Sequence, residues 1–303
     1  MVADLRNLIS AEWLKLSRRP LGWVLLSVFL GLMLLYLSTW MLVVMLHTGR
    51  LSDGRTRFTV LSPVQITEIQ RQISFPGIFG AVLGQVNSTG GICAIILAAG
   101  FLGSDYSWGT LRVLLTRAPH RGTYLLAKLI TLLLGLMAAI LLALLLGTLF
   151  ALVCSSVLGL PLHLRLRDLL ALPVGILRSL YIILPYVIIT LSSAAFGRSA
   201  LAGVGGGLIF LALDVSAGSL NTIGSISPLV RLLVNLLLQP NINTLVVLNS
   251  QLFGLNQSVL LGSLDLALLP SPLQATLVIA AYCVCFYWGA YRLLLRRDVA
   301  GII

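Results

Sequence analysis

Two carboxylates in this chain stand where a charge is costly, and they are the first places to look for chemistry. Glu12 falls in residues 4–19, where Leu5, Leu8, Ile9, Trp13 and Leu16 cluster on one side of a helix. At about 100° per residue Glu12 lies between Leu8 and Leu16, near the middle of the apolar face, where a free carboxylate is disfavoured. It needs a cationic partner, and Arg112 is the first choice, with Arg117, Arg121 and Lys128 as alternates. Asp214 lies near the end of the apolar stretch 199–217. A carboxylate inside a membrane span points by default to proton coupling or cation binding. The competing reading is a helix-end residue that reaches the interface or pairs with Arg231, favoured because Ser216, Gly218 and Ser219 follow at once.

Other chemistries lack their residues. A phosphate-binding loop needs Gly before Lys and then Ser or Thr, but the only lysines, Lys15 and Lys128, follow Leu14 and Ala127. Gly203, Gly205, Gly206 and Gly207 sit in an apolar run without a lysine. Gly203 and Gly207, at four-residue spacing, instead suit close helix packing or a hinge. His47, His120 and His163 are scattered, with no His-Glu-x-x-His and no Gly-x-Ser-x-Gly, so an intramembrane protease is not expected. Cys93, Cys154, Cys283 and Cys285 show no Cys-x-x-Cys spacing and read as packing residues. The chain is expected to be no enzyme and to hold no cofactor or metal of its own.

The elements that position these residues follow from composition. Hydrophobic residues make up 58% of the 303 and charged residues 10%, with a mean hydropathy of +1.04, which no water-soluble surface of this size tolerates. Charge-poor stretches at 21–46, 80–102, 129–153, 178–196, 199–217 and 272–291 predict six transmembrane helices. The first run is too long for a cleaved signal peptide and has no cleavage site after it, so the N-terminus is expected to be retained. Six spans put both termini on one side. Arg6, Lys15, Arg18, Arg19, Arg112, Arg117, Arg121, Lys128, Arg198, Arg292, Arg296 and Arg297 fall on that side, against fewer cations in longer loops opposite. Both termini are therefore expected in the cytoplasm, in a multi-pass protein of the plasma membrane. The formal net charge of +11 then reads as a topology signal and a contact with anionic lipid, not as nucleic-acid binding.

Four polar or irregular segments connect the spans. Residues 103–128 form a polar, basic island, within which Trp108, Leu111, Leu114 and Leu115 gather on one helical side, with Thr110 and Arg117 on the other. Such an amphipathic helix lies under a bilayer or docks in a partner's groove. Residues 47–79 form an outer loop ending at the Pro76-Gly77 turn, and residues 155–172, with Arg165, Arg167 and Asp168, are expected at the outer interface. Residues 220–271 are too apolar for a solvated domain, yet their runs are too short to cross. A re-entrant or interfacial helix pair is expected there, with Arg231 and Asn235 on one face and a break at Gln239-Pro240-Asn241.

This pattern resembles the ABC-2 type permease family, the membrane subunits of ATP-binding-cassette transporters. The resemblance rests on the N-terminal helix with Ala11-Glu12-Trp13-Leu14-Lys15-Leu16 and Arg18-Arg19, six spans, the segment Gly103-Ser104-Asp105-Tyr106-Ser107-Trp108-Gly109-Thr110-Leu111-Arg112, and the apolar re-entrant segment before the last span. Family members often carry Glu at the position of Asp105. The resemblance implies a single all-α transmembrane domain over 1–303, with an interfacial helix at 1–20, a coupling segment at 104–124 and a re-entrant segment at 220–271. It further implies that Asp105, Trp108, Leu111, Arg112, Leu114, Arg117 and Arg121 seat in a separate ABC ATPase subunit that binds ATP and Mg. It also implies a working unit of two permease copies and two ATPases, with the pathway between the two permease copies and spans two and five prominent in its walls. Asn87, Ser88 and Thr89 on span two and Gly203, Gly207, Asp214 and Arg231 in the second half are then pathway or packing candidates. An exporter of a prokaryotic cell is the function implied. An ion-coupled secondary transporter and a non-transporting anchor or sensor are the alternatives.

Overall fold

The computed structural model describes residues 2–48, 61–107, 121–160, 162–218, 228–256 and 268–296. The described residues are helical and contain no strand. Six helical stretches are long and apolar enough to cross a membrane, which makes this an all-α membrane protein with six spans.

Helix α1 (Val2–Arg18) precedes the first span and is followed directly by α2 (Pro20–His47), which is that span. Pro20 stops one helix and starts the next. It lacks the N–H that α1 would need, and as the first residue of α2 it loses nothing, because that N–H has no intrahelical acceptor. The short α3 (Pro63–Gln72) is capped by Ser62, whose hydroxyl accepts from the Gln65 N–H. The second span is composite: α4 (Gly77–Gln85), one π-helical turn (Val86–Gly90) and α5 (Gly91–Ser107).

The third span, α6 (Arg121–Leu158), has 38 residues, or about 57 Å of helix at about 1.5 Å per residue. That exceeds the hydrocarbon core, so the charge-free stretch 129–153 marks only its apolar middle. Helix α7 (Leu166–Gly197) is the fourth span and begins well before the expected 178. Part of the interfacial loop expected at 155–172 is therefore helical. The local reason is a start signal: the Asp168 carboxylate accepts the Arg165 N–H at 3.0 Å and satisfies an otherwise orphaned donor. Helix α8 (Ala200–Gly218) is the fifth span.

Two helices too short to cross follow, α9 (Pro228–Val234) and α10 (Leu238–Leu252), before the sixth span, α11 (Pro272–Arg296). The break between α9 and α10 is at residues 235–237, not at Gln239-Pro240-Asn241 as expected. Pro240 lies in the first turn of α10, where a missing N–H costs no helical bond. Arg231 is exposed and Asn235 buried, so the two do not share an environment. Buried amides seat α10 on the bundle: Asn249 donates to the Gly175 carbonyl and the Ser179 hydroxyl of α7, and Asn241 donates to the carbonyls of Asn235 and Leu237.

The core forms where α4, α5, α6 and α7 meet, around Phe79, Val82, Phe101, Leu102, Leu144 and Val187. Close packing of α8 follows from its glycines. A Cβ on Gly203 would come within 2.9 Å of the Ala194 and Ala99 side chains, and one on Gly207 would strike Thr190 and Ile95. Glycine there lets α8 lie against α5 and α7 at backbone distance.

Candidate functional site

At the end of the bundle where α1 lies, three elements deliver charged side chains to one buried point. Lys128 leaves α6 about 10 Å along the helix from Arg121, at about 1.5 Å per residue. Asp105 stands in the last turns of α5, and Glu12 points inward from the middle of α1. Lys128 and Asp105 are each 0% exposed and Glu12 is 1% exposed.

The Lys128 ammonium lies 2.9 Å from Glu12 Oε2 and 2.7 Å from Asp105 Oδ2, and it donates at 3.0 Å to the Phe101 carbonyl. Its three protons are all used, as a buried ammonium requires. The Phe101 ring, with its centroid 4.0 Å away, covers the cation from another side. Tyr124, one helical turn before Lys128, donates its hydroxyl to the same Asp105 oxygen. Arg19 reaches Asp105 Oδ1 at 3.6 Å and donates to Ser104 Oγ, while Lys15 closes on the other Glu12 oxygen. Three cations thus surround two carboxylates, and both lysines of the chain touch Glu12.

In this cluster the three Lys128 protons and both oxygens of Glu12 and of Asp105 face charged or polar partners. It ties things together. Tyr124 donates directly to Asp105, so the last turns of α5 and the first turn of α6 are joined at one place. Glu12 fastens the same place to α1 and Arg19 to the start of α2. Among the described residues, no three His, Cys, Asp or Glu side chains come together in a metal-ligating group.

The sequence-predicted coupling residues Trp108, Leu111, Arg112, Leu114 and Arg117 lie outside the described residues; Arg121 opens α6, and its side chain also lies outside them. The pairing of Glu12 with Arg112 falls there too, and among the described residues Glu12 is taken up by Lys128 and Lys15. Lys128 was legible only as an alternate partner and Arg19 only as part of the basic Arg18-Arg19 pair, and Tyr124 was not singled out. The available signal was the four-residue spacing of Tyr124 and Lys128, which puts both on one helical face.

Asn87, Ser88 and Thr89 occupy the π-helical turn of the second span. A π-turn inserts one extra residue into the ladder and recurs at functional positions. Thr89 donates to the Gln85 side chain at 2.7 Å and Ser88 is exposed. Both polar atoms of the Asn87 amide are buried without a hydrogen-bond partner. At the opposite end of the bundle, Asp214 accepts from the Tyr186 hydroxyl at 2.6 Å and from the Gln239 backbone N–H at 2.9 Å. It thereby joins α8 and α7 to the first turn of α10, where a carboxylate is favoured by the unpaired N–H groups of a helix start. The structure does not bring Asp214 near the Glu12 cluster.

No family model matches the chain, and no curated protein matches it.

Proposed function

We propose that this chain is the membrane-spanning permease subunit of an ATP-binding-cassette exporter in a prokaryotic plasma membrane. Its termini lie in the cytoplasm, and ATP and Mg are bound by a separate ATPase subunit. The observation that carries the reading is the buried cluster of Glu12, Asp105, Tyr124 and Lys128. A connecting segment that only joined two spans would need no such anchor, because a loop tolerates slack. A segment that receives a mechanical stroke must pass it to the helices behind it. The cluster links the end of α5, the start of α6 and α1 at once, so a push delivered to the end of α5 or the start of α6 would be passed to all three helices.

The polar π-turn of span two supports a pathway at the surface of this subunit. Ser88 is exposed in a span that crosses hydrocarbon, and polar groups at that depth belong against protein or water. A second permease copy covering this face would supply the other wall. Asp214 suits a far-end fastening better than a cation site, since both of its oxygens already have donors. The test is purification in mild detergent from the native host. An ATPase with a phosphate-loop motif should accompany the chain in stoichiometric amount, and its repeated absence under conditions that keep the chain folded would overturn the reading.

A further inference from the structure

Asp214 sits between two helix ends of opposite polarity. It belongs to the last turns of α8, where free carbonyls disfavour a negative charge, and it faces the first turn of α10, where free N–H groups favour one. The residue is 7% exposed and lies inside a span apolar enough to cross a membrane. Among the described residues no cation pairs with it, Arg231 included. Its partners are the Tyr186 hydroxyl of α7 at 2.6 Å and the Gln239 N–H of α10 at 2.9 Å. From α11, Tyr282 is within its electrostatic reach and donates its own hydroxyl to the Leu236 carbonyl. From α5, which also packs on α8, Cys93 lines a crevice beside α2 and α6, and Asp105 and Tyr106 lie at the far end. Two donors without a cation hold a buried carboxylate in place but leave its charge largely uncompensated.

The Tyr186 oxygen also lies 3.1 Å from Gln239 Oε1. One hydroxyl thus faces two acceptors with a single proton to give. When Asp214 is ionised, that proton belongs to the carboxylate, and Gln239 Oε1 must turn away or find a donor in water. When Asp214 is un-ionised, its carboxyl donates to the Tyr186 oxygen and Tyr186 donates to Gln239 Oε1. Gln239 Nε2 then continues the row to Asn243 Oδ1 at 3.0 Å, and Asp214 Oδ1 still accepts the Gln239 N–H. Every member of the row is satisfied only in this second state. The 2.6 Å separation of Asp214 and Tyr186 suits a strong O–H···O bond in either direction. Phe210, edge-on to the Tyr186 ring with centroids 6.4 Å apart, keeps the hydroxyl between its two acceptors.

We infer that Asp214 is a proton-binding site whose occupancy sets the hold on α10. One proton taken from water onto Oδ2 completes a row of hydrogen bonds from α8 through α7 to the first turn of α10. Its release gives the Tyr186 proton back to the carboxylate and frees the Gln239 side chain. The fastening between α8, α7 and α10 therefore has two settings. The site does not rest on the transport reading.

Infrared spectra of the full chain in lipid nanodiscs, taken from mildly acidic to mildly alkaline pH, test it. The carbonyl stretch of an un-ionised carboxyl should be present near neutral pH, fade as the pH is raised, and be missing from Asp214→Asn. Gln239→Met keeps the α10 N–H but removes the acceptor that completes the row. It should move the midpoint of the fading toward acid by about half to one pH unit, the worth of one neutral hydrogen bond. Both this variant and Tyr186→Phe keep Asp214, so they remain informative if Asp214→Asn folds poorly; Tyr186→Phe should raise the frequency of the stretch, because the carboxyl loses its acceptor. Amide exchange over residues 238–243, corrected for the intrinsic effect of pH, should quicken several-fold in the native chain as the stretch fades. In Asp214→Asn it should hold steady, because the asparagine amide keeps the row closed. An Asp214→Asn spectrum that lacks no carboxyl stretch, a midpoint that Gln239→Met leaves in place, or exchange in Asp214→Asn that follows pH as the native chain does would each overturn the inference.

Discussion

Lys128 carries the strongest expectation at the scale of single residues. It is fully buried between two carboxylates, and removing one partner of a buried pair costs about 3 to 5 kcal/mol because the other charge stays behind. Lys128→Met should therefore lower the thermal unfolding temperature of the purified chain markedly. Adding Glu12→Gln and Asp105→Asn to it should recover much of the loss, since neutral groups of the same shape have no stranded charge. A triple variant no better than the single one would mean that packing around Phe101, not charge, holds this corner. Asn87 predicts the opposite direction. Its buried amide has no partner, so Asn87→Leu should raise stability by about 1 to 3 kcal/mol, read in the same melting assay, while lowering turnover if the proposed transport function holds. The sequence made the burial of Glu12 readable, because helical periodicity fixes which way a side chain faces. The identity of its partner was not readable, because Lys128 is distant in sequence and several cations were eligible.

Among the elements, the six spans were visible as charge-free runs, since the bilayer imposes their length. Their ends were less visible. Helix α6 continues past its apolar part into polar residues, where hydrogen bonding and capping decide the boundary and hydropathy is silent. Pro240 misled for a related reason: the same residue that breaks a helix interior is accommodated in a first turn. Helix α8 gives a direct test of how an element is seated. Gly207→Leu should push α8 away from Thr190 and Ile95, an overpacking cost of about 1 to 3 kcal/mol, and should reduce the yield of monodisperse protein. Gly205, where an added Cβ meets nothing within 4 Å, should accept Leu without change in the isolated subunit. Equal behaviour of the two variants on size-exclusion chromatography would contradict the packing of α8.

For the whole molecule, α1, the end of α5 and the start of α6 meet at one end of the bundle, where Glu12, Asp105 and Lys128 come together. Helix α3 and the segment after α10 meet at the opposite end, joined by the Glu68 carboxylate, which accepts the Asn256 N–H. In a cysteine-free background, single cysteines at Thr67 and Asn256, both exposed, should be labelled from outside intact cells, and a cysteine at Arg18 only after permeabilisation. The reverse pattern would invert the proposed topology. The coupling role of residues 108–120 is the proposal on which the exporter reading stands, and site-specific photocrosslinking in the native membrane tests it most directly. A photoreactive amino acid at Leu111 or Leu114 should give an adduct with an ATP-hydrolysing subunit, whereas the same group at Asn256 should give none; no such adduct from Leu111 or Leu114, with the chain correctly inserted, would contradict it.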